Sequence, residues 1–314
     1  MKDTKRPYLR LPMVSMSGWG RPHLFALVLA WLVICLPLTA GAQTSQRTDI
    51  VLAYSVGLFT DVDPKDAQAA FTTYSNELAR QLGMSVSSIQ YDDPHSAIDL
   101  IRNGKVDVAS LSAMDYLHYK NSTPMELGLG TVRGGKRTLK LLLLTHEKRG
   151  YDKIGDLKGK KLLILKGDEL GPVYLSTVLL KQRLGETREF FSQVEEKSKA
   201  SQVVLPVFFG QADACIINDV SYKTMVEMNP QLEKELKPLL SSPEYLQGVG
   251  VFRKGLAGDF KERIINVATN LKGYTRGRQV LLLFKMDGLE PLSESDLSSV
   301  KSLLTEYEQL RQHR

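Results

Sequence analysis

Cysteine is nearly absent from this sequence. Of the two in 314 residues, Cys35 lies in an apolar N-terminal run and Cys215 in the strand-like stretch "DACII". Removal of that run leaves one cysteine, which excludes an internal disulfide. The apolar neighbours of Cys215 mark it as an inert core thiol. The motifs of common catalysts are missing too: there is no Gly-x-Ser-x-Gly, no Walker loop and no Gly-x-Gly-x-x-Gly. His95, His118, His146 and His313 show no metal-ligand spacing. No catalytic residue, metal or cofactor is expected, and no enzyme is indicated. Charge of one sign is also scarce. The net charge is +6, but the first 42 residues hold five of the 41 basic residues and one of the 35 acids, leaving only +2 for the remainder. A nucleic-acid partner wants a concentrated basic face, and none is required here.

Long hydrophobic runs number one. Leu24–Leu38, "LFALVLAWLVICLPL", is uncharged, follows the basic N-terminus and precedes "TAGAQ". At about 15 residues it falls short of the roughly 20 that span a membrane. With Ala40-Gly41-Ala42 as a small-x-small site, it has the n-, h- and c-regions of a secretory signal. Residues 1–42 are expected to be removed after Ala42, leaving Gln43 first in a periplasmic protein; an uncleaved anchor is the alternative. Ile34, where a small residue is wanted, argues against lipidation at Cys35.

What remains alternates strand-like and helix-like patterns. "DIVLAYSV" (Asp49–Val56) reads as a buried strand. Asp66–Gly83 places Ala70, Phe71, Tyr74, Leu78 and Leu82 on one helical face, and Gly83 ends it. "SVSSIQYD" reads as a weaker strand, Pro94–Lys105 as a helix and Val106–Ser112 as a strand. This βαβαβ order predicts a parallel sheet with helices on its faces. Thr138–Glu147 is a longer strand. A second set follows: "DLKGKKLLILK", a helix over Pro172–Leu184, another over Ser198–Gln211, "ADACIIND" and "VSYKTMVEM". Strands return over Leu236–Lys254, and helix dominates from Gly258, ending with Leu297–Leu310, whose charges read as a solvated face. No internal repeat is visible.

These motifs, in this order, resemble the phosphonate-binding class of periplasmic solute-binding proteins. The likeness rests on "NGKVDVASLSAMDY" (Asn103–Tyr116), "GDLKGKK" before a strand with a glycine loop and helix after it, "GQADACIINDVSY" (Gly210–Tyr222) and "SPEYLQGVGVFRKGL" (Ser242–Leu256). It implies an α/β, two-lobe, type II periplasmic binding protein fold, with two crossing strands between the lobes and a ligand cleft between them. The crossings would be Thr138–Glu147 and Leu236–Ser242. Lobe 1 would comprise 43–145 and 241–314, and lobe 2 would comprise 146–240. The resemblance implies an exported protein that captures a small polar or anionic solute, such as a phosphonate or phosphate ester, for an inner-membrane ABC permease. A periplasmic sensor that reports to a signalling receptor is the alternative.

The sequence departs from that family at the anion loop. The resemblance implies a Ser/Thr-rich loop there, whose hydroxyls and N–H groups hold an oxyanion at a helix N-terminus. Here the loop is "KGDELGPVY", with two acids, no Ser or Thr before Ser176, and Pro172 in place of one N–H donor. The family's histidine before the next helix is also missing from "KSKASQVV". Asp168 and Glu169 serve the helix, by capping it and meeting its dipole, or face the cleft and select against free oxyanions or for a ligand with an amine, or are neutralised by Lys166, which leaves the backbone N–H groups to an anion. Open α/β sheets bind ligands beyond the carboxyl ends of their strands, which makes Tyr54, Ser55, Ser112, Tyr116, Lys166, Asp168, Asp219 and Tyr222 the candidate ligand residues. Tyr54 has a competing reading as a core aromatic, and Asp219 as a helix cap.

Overall fold

The structure, a computed structural model, describes residues 49–55 and 64–313. The signal sequence, its cleavage position and Val56 lie outside them. The first half runs β1 (Asp49–Ser55), α1 (Pro64–Leu82), β2 (Ser85–Tyr91), α2 (Pro94–Arg102), β3 (Val108–Ser112), α3 (Ala113–Tyr119), β4 (Met125–Val132) and β5 (Thr138–His146). It continues with β6 (Lys161–Leu165), α4 (Leu170–Lys181), α5 (Thr187–Phe190), β7 (Gln193–Lys197), α6 (Ala200–Phe208), β8 (Ala214–Asn218), α7 (Asp219–Met228) and α8 (Gln231–Glu235). The chain closes with β9 (Leu236–Leu246), β10 (Gly248–Arg253), α9 (Gly258–Thr269), α10 (Thr275–Leu283), β11 (Gly288–Pro291) and α11 (Ser298–Gln312).

The strands form two sheets, ordered β11-β4-β10-β3-β1-β2 and β7-β6-β8-β5-β9. Each has the same parallel heart. β1 lies between β2 and β3, and β6 lies between β7 and β8. An antiparallel strand then joins each heart: β10 beside β3, and β5 beside β8. β5 carries the chain from the first sheet into the second, and β9 carries it back, paired antiparallel from Thr138↔Leu246 to His146↔Leu236. The second crossing is longer than the sequence pattern indicated, ending at Leu246 rather than Ser242. The middle strands are apolar because both faces are covered; every residue of β8 is buried, Cys215 included, and burial pushes its thiol well above the ordinary range.

One carboxylate sets the register in each heart, and together they disclose a repeat that few residue identities record. Asp107 precedes β3; its N–H donates to the Val51 carbonyl at 2.9 Å, while its Oδ2 accepts from the Val51 N–H at 3.1 Å. Asp213 precedes β8 and brackets Lys161 of β6 in the same way, at 3.1 and 3.0 Å. Both aspartates close a Gly-x-x-Asp turn, Gly104–Asp107 and Gly210–Asp213, and nine residues later each unit reaches a tyrosine, Tyr116 or Tyr222. Beyond Gly, Asp and Tyr the two stretches share no identities. The duplication is therefore carried by the polar and apolar pattern and the backbone bonds rather than by residue identity, with Ser112 and Asn218 as equivalent polar positions.

The last helix does not present a merely solvated face. β11 returns to the first sheet beside β4, and the turn after it meets α3: Tyr116 Oη donates to Glu294 Oε1 at 2.7 Å, and Lys120 pairs with the same carboxylate. α11 then packs on α4, an element of the other sheet's layer. Val300 and Leu303 are buried there. Lys181 Nζ meets Glu306 Oε1 at 2.8 Å, and Glu186 accepts from Tyr307 Oη and Arg311 Nε at 3.1 and 2.9 Å. The C-terminal segment is thus a third tie between the lobes, beside β5 and β9.

Candidate functional site

Three strands, β3, β6 and β8, hand over to helices in which a side chain takes one of the first N–H groups. Ser112 ends β3 and caps α3: its Oγ accepts from the Asp115 N–H at 2.9 Å and donates to Asp115 Oδ2 at 2.6 Å. Ser112 is thus a side-chain N-cap whose hydroxyl is held in turn by the carboxylate of the first turn. Asn218 ends β8 and caps α7, accepting from the Ser221 N–H at 2.7 Å. At the end of β6 the chain turns through Lys166 and Gly167, where Gly167 has φ +79°, a conformation that disfavours a side chain. Asp168 follows. Its Oδ1 accepts from the Gly171 N–H at 3.1 Å, so its carboxylate sits over the first turn of α4, where the helix dipole favours negative charge. The cap dictates a glycine too: a Cβ at position 171 would come within 2.7 Å of Asp168 Oδ2.

Glu169 brings the two walls together. Burial raises its pKa most, and the carboxylates of Asp115, across the cleft, and of Asp168 raise it further, against a lowering by His118. Asp115 is pushed up by burial, partly offset by its bonds to Ser112 and by His118 and His95. Asp168 is likewise pushed up by burial, against the N–H bonds of Gly171 and Leu170. α3, Glu169 and α11 enclose a crevice of about 480 Å³, lined by Asp115, His118, Lys120, Glu169, Lys301 and Glu308 among others. Its lining mixes three acids, Asp115, Glu169 and Glu308, with Lys120, Lys301 and His118.

The eight candidate residues divide accordingly. Ser112 and Asp168 stand at the helix starts, engaged as caps. Lys166 is exposed on the turn, its N–H given to the Lys197 carbonyl of β7 at 2.9 Å. Ser55 is half-buried at the end of β1. Asp219 opens α7 and accepts the Lys140 N–H of the crossing strand β5 at 3.0 Å, tying helix to hinge. Three tyrosines lie elsewhere than the cleft wall. Tyr54 is buried and stacks on Phe71 with ring centroids 3.6 Å apart, because its place in the strand alternation points it at α1. Tyr116 is buried with its hydroxyl on Glu294. Tyr222 donates to the Leu232 carbonyl at 3.1 Å, inside its own lobe. Sequence reasoning missed Asp115, His118, Lys301 and Glu308 as crevice residues. Asp115 had a readable signal, the Ser-x-x-Asp spacing from Ser112; the α11 residues had none.

Two lobes on crossing strands, with helix starts and charged groups gathered between them, define a solute-binding protein of the type II periplasmic class. The family model for the periplasmic substrate-binding protein of phosphonate ABC transporters matches residues 56–297, and the chain belongs to that family. Solved structures share the fold. A binding-protein component of an ABC phosphonate transporter from Pseudomonas aeruginosa is 16% identical, over 84% of this chain and 88% of that one, with a TM-score of 0.66. PhnD1 from Prochlorococcus marinus, in complex with methylphosphonate, is 16% identical over 83% and 98%, at 0.66. A Xanthomonas citri protein bound to ATP is 15% identical over 85% and 99%, at 0.65. The family is one of binding proteins rather than enzymes; its place is the periplasm, and its partners are a small solute and the membrane components of an ABC transporter.

Proposed function

We propose that this chain captures a small phosphonate- or phosphate-ester-type solute that carries an amine, and delivers it to an ABC permease. The observation that carries the reading is the placement of Glus and Asps: Asp168 occupies the α4 N-terminus, the position where the family resemblance implies an oxyanion, and Glu169 faces Asp115 from the opposite wall. A free oxyanion would have to displace or protonate Asp168. An ammonium group gains from Asp115 and Glu169 instead, by charge-assisted hydrogen bonds. Calorimetry on the Asp168→Ser, Glu169→Ser double variant tests it, with phosphate, methylphosphonate and an aminoalkylphosphonate as ligands. Affinity for the simple anions should rise about tenfold, the scale of one charged contact, and affinity for the amine-bearing ligand should fall. Unchanged anion affinity means the acids are not the selectors.

The same reading places lobe 1 over 43–145 and 241–314, with lobe 2 over 146–240, and assigns removal of residues 1–42. Mass measurement of periplasmic protein should find Gln43 first; retention of residues 24–42 in a membrane fraction contradicts it. Ser55, Ser112, Lys166, Asp168 and Asp219 are the candidate residues for the cleft in this reading.

A further inference from the structure

We propose that the first lobe holds a second binding site, for an uncharged apolar molecule of about the size of benzene, on the sheet face covered by α1, α9 and α10. The site is a hole left by missing side chains. Along a strand, alternate residues share a face. Val108 and Phe252 point into the cluster under α1 and α9, so Ser110 two residues after Val108, and Gly250 and Gly248 two and four residues before Phe252, face the same way. These positions are adjacent in the ladder, with Gly250 opposite Ser110 and Gly248 opposite Ser112. Two neighbouring strands therefore present a floor of glycine and serine where a sheet under helices ordinarily presents branched aliphatics.

The helices do not fill the gap. A half-open pocket of about 120 Å³ remains, floored by Ser110, Gly248 and Gly250 and walled by Phe71, Val280 and Phe284, with Thr131, Arg133 and Gln247 also on its lining. Its walls are held apart by contacts of their own. Phe71 is pinned between Tyr54, stacked at 3.6 Å, and Phe284, tilted at 4.8 Å. α10 rests on the preceding turn through Gly277, where a Cβ would come within 2.0 Å of the Leu271 carbonyl; the helix already lies as close to that turn as backbone allows. A buried apolar cavity of roughly 150 Å³ takes up benzene or xenon, and the aromatic and aliphatic walls here offer the same contacts to a ring that enters from the open side. The cavity is separate from the cleft. Its lining comes from β1, β3, β4, β10, β11, α1, α9, α10 and the turns beside them, and includes no residue of β6–β8 or α4.

Benzene is the probe, and thermal unfolding of the protein at saturating benzene is the measurement, with xenon-induced amide shifts as a second readout. The expected result is a midpoint raised by about 2 °C or more, since a ligand of the folded state stabilises by mass action. Gly248→Leu supplies the control. A Cβ there meets nothing nearer than the Leu111 carbonyl at 3.7 Å, and the side chain points into the hole. This variant should unfold at a higher temperature than the parent and lose the response to benzene, while its calorimetric response to phosphonates is unchanged. If Gly248→Leu does not fold, Val280→Phe fills the same space from the opposite wall and is read in the same way. A parent protein that responds to neither benzene nor xenon overturns the proposal. So does a benzene shift of equal size in the filled variant.

Discussion

The two Gly-x-x-Asp units are built alike but tethered differently. In each, an aspartate brackets one residue of the neighbouring parallel strand. In the first lobe the carboxylate is fully buried and its other oxygen pairs with Arg253 at 3.0 Å. In the second lobe the carboxylate is half-buried and its other oxygen accepts from the Tyr151 hydroxyl at 2.7 Å. The tyrosines that close the units differ in the same sense, with Tyr116 on a carboxylate and Tyr222 on a backbone carbonyl. At these two units, then, the first lobe holds its aspartate with an ion pair reaching across the sequence, and the second with hydrogen bonds from uncharged donors within itself. One scaffold has been fastened by two kinds of chemistry, and the two kinds have different costs when cut.

The largest effect follows from the aspartates. Asp107→Ala leaves the buried Val51 N–H and the half-buried Arg253 guanidinium without their partner, a loss of about 3–5 kcal/mol when a bond to a charged group and an orphaned buried donor are taken together. Asp213→Ala removes bonds to neutral donors, at about 1–3 kcal/mol. Urea unfolding of both variants checks the contrast. Equal losses would mean that the Arg253 pair adds nothing and that the two units are energetically one design.

Next in size is the tie that only one region has. Leu303 is buried between α11 and α4, and Leu303→Ala should cost about 2–4 kcal/mol as a core truncation. It should also loosen the lobes. Small-angle scattering of the ligand-free variant is expected to give a larger radius of gyration than the parent. If stability falls without expansion, α11 is core packing alone and β5 and β9 set the lobe spacing.

These contrasts also mark what was legible. The middle strands could be read because burial on both faces leaves apolar runs such as Leu162–Leu165 and Cys215–Ile217, each ended by a turn or a capping residue. β7 could not: "QVEEK" is an edge strand, and its glutamates pair with Lys161, Lys197 and Arg188 rather than with a core. β4 hides behind its glycines, which are required because Phe252 and Leu292 press on positions 128 and 130. β11 is four residues long. Of the site, Asp168 was legible as a helix cap, but at α7 the cap is Asn218 rather than the Asp219 that the pattern suggested. The crevice was not legible, since Glu169 and Asp115 are brought together by lobe packing and α11 arrives from the far end of the chain. Tyr54 failed as a site residue for a local reason: in-out alternation sends it to Phe71.

A smaller contrast lies between the tyrosines. Tyr116→Phe deletes a hydrogen bond to a carboxylate, worth about 1.5–3 kcal/mol, and Tyr222→Phe deletes a neutral one, worth about 0.5–1.5 kcal/mol. Thermal melts of the two single variants and the double variant should give additive losses, because the sites share no partner. An interaction term above about 0.5 kcal/mol would show that the lobes are coupled through α3 and α7.

The smallest effect is in the pH dependence, where the acids titrate in opposite directions. Glu294 is held below the usual carboxylate range, first by its bond to Lys120 and then by that from Tyr116. Its contribution is present above the unfolded-state pKa near 4.3 and is lost as pH falls through the folded value. Asp168 is pushed above its usual range by burial. Its folded form holds its proton more tightly than the unfolded chain does, so stability is greatest below about pH 4 and declines as pH rises through the raised folded value. Asn caps a helix about as well as Asp. Asp168→Asn should therefore match the parent near pH 3 and exceed it at pH 7, by less than about 1 kcal/mol, the scale of a single cap. Glu294→Gln should do the reverse, with its deficit appearing at pH 7 and vanishing toward pH 3. Urea midpoints at pH 3, 5 and 7 for the three proteins decide it. A deficit for Asp168→Asn that grows with pH would mean the carboxylate is stabilised in the folded state by its N–H bonds more than it is penalised by burial, and that the α4 terminus welcomes an anion after all.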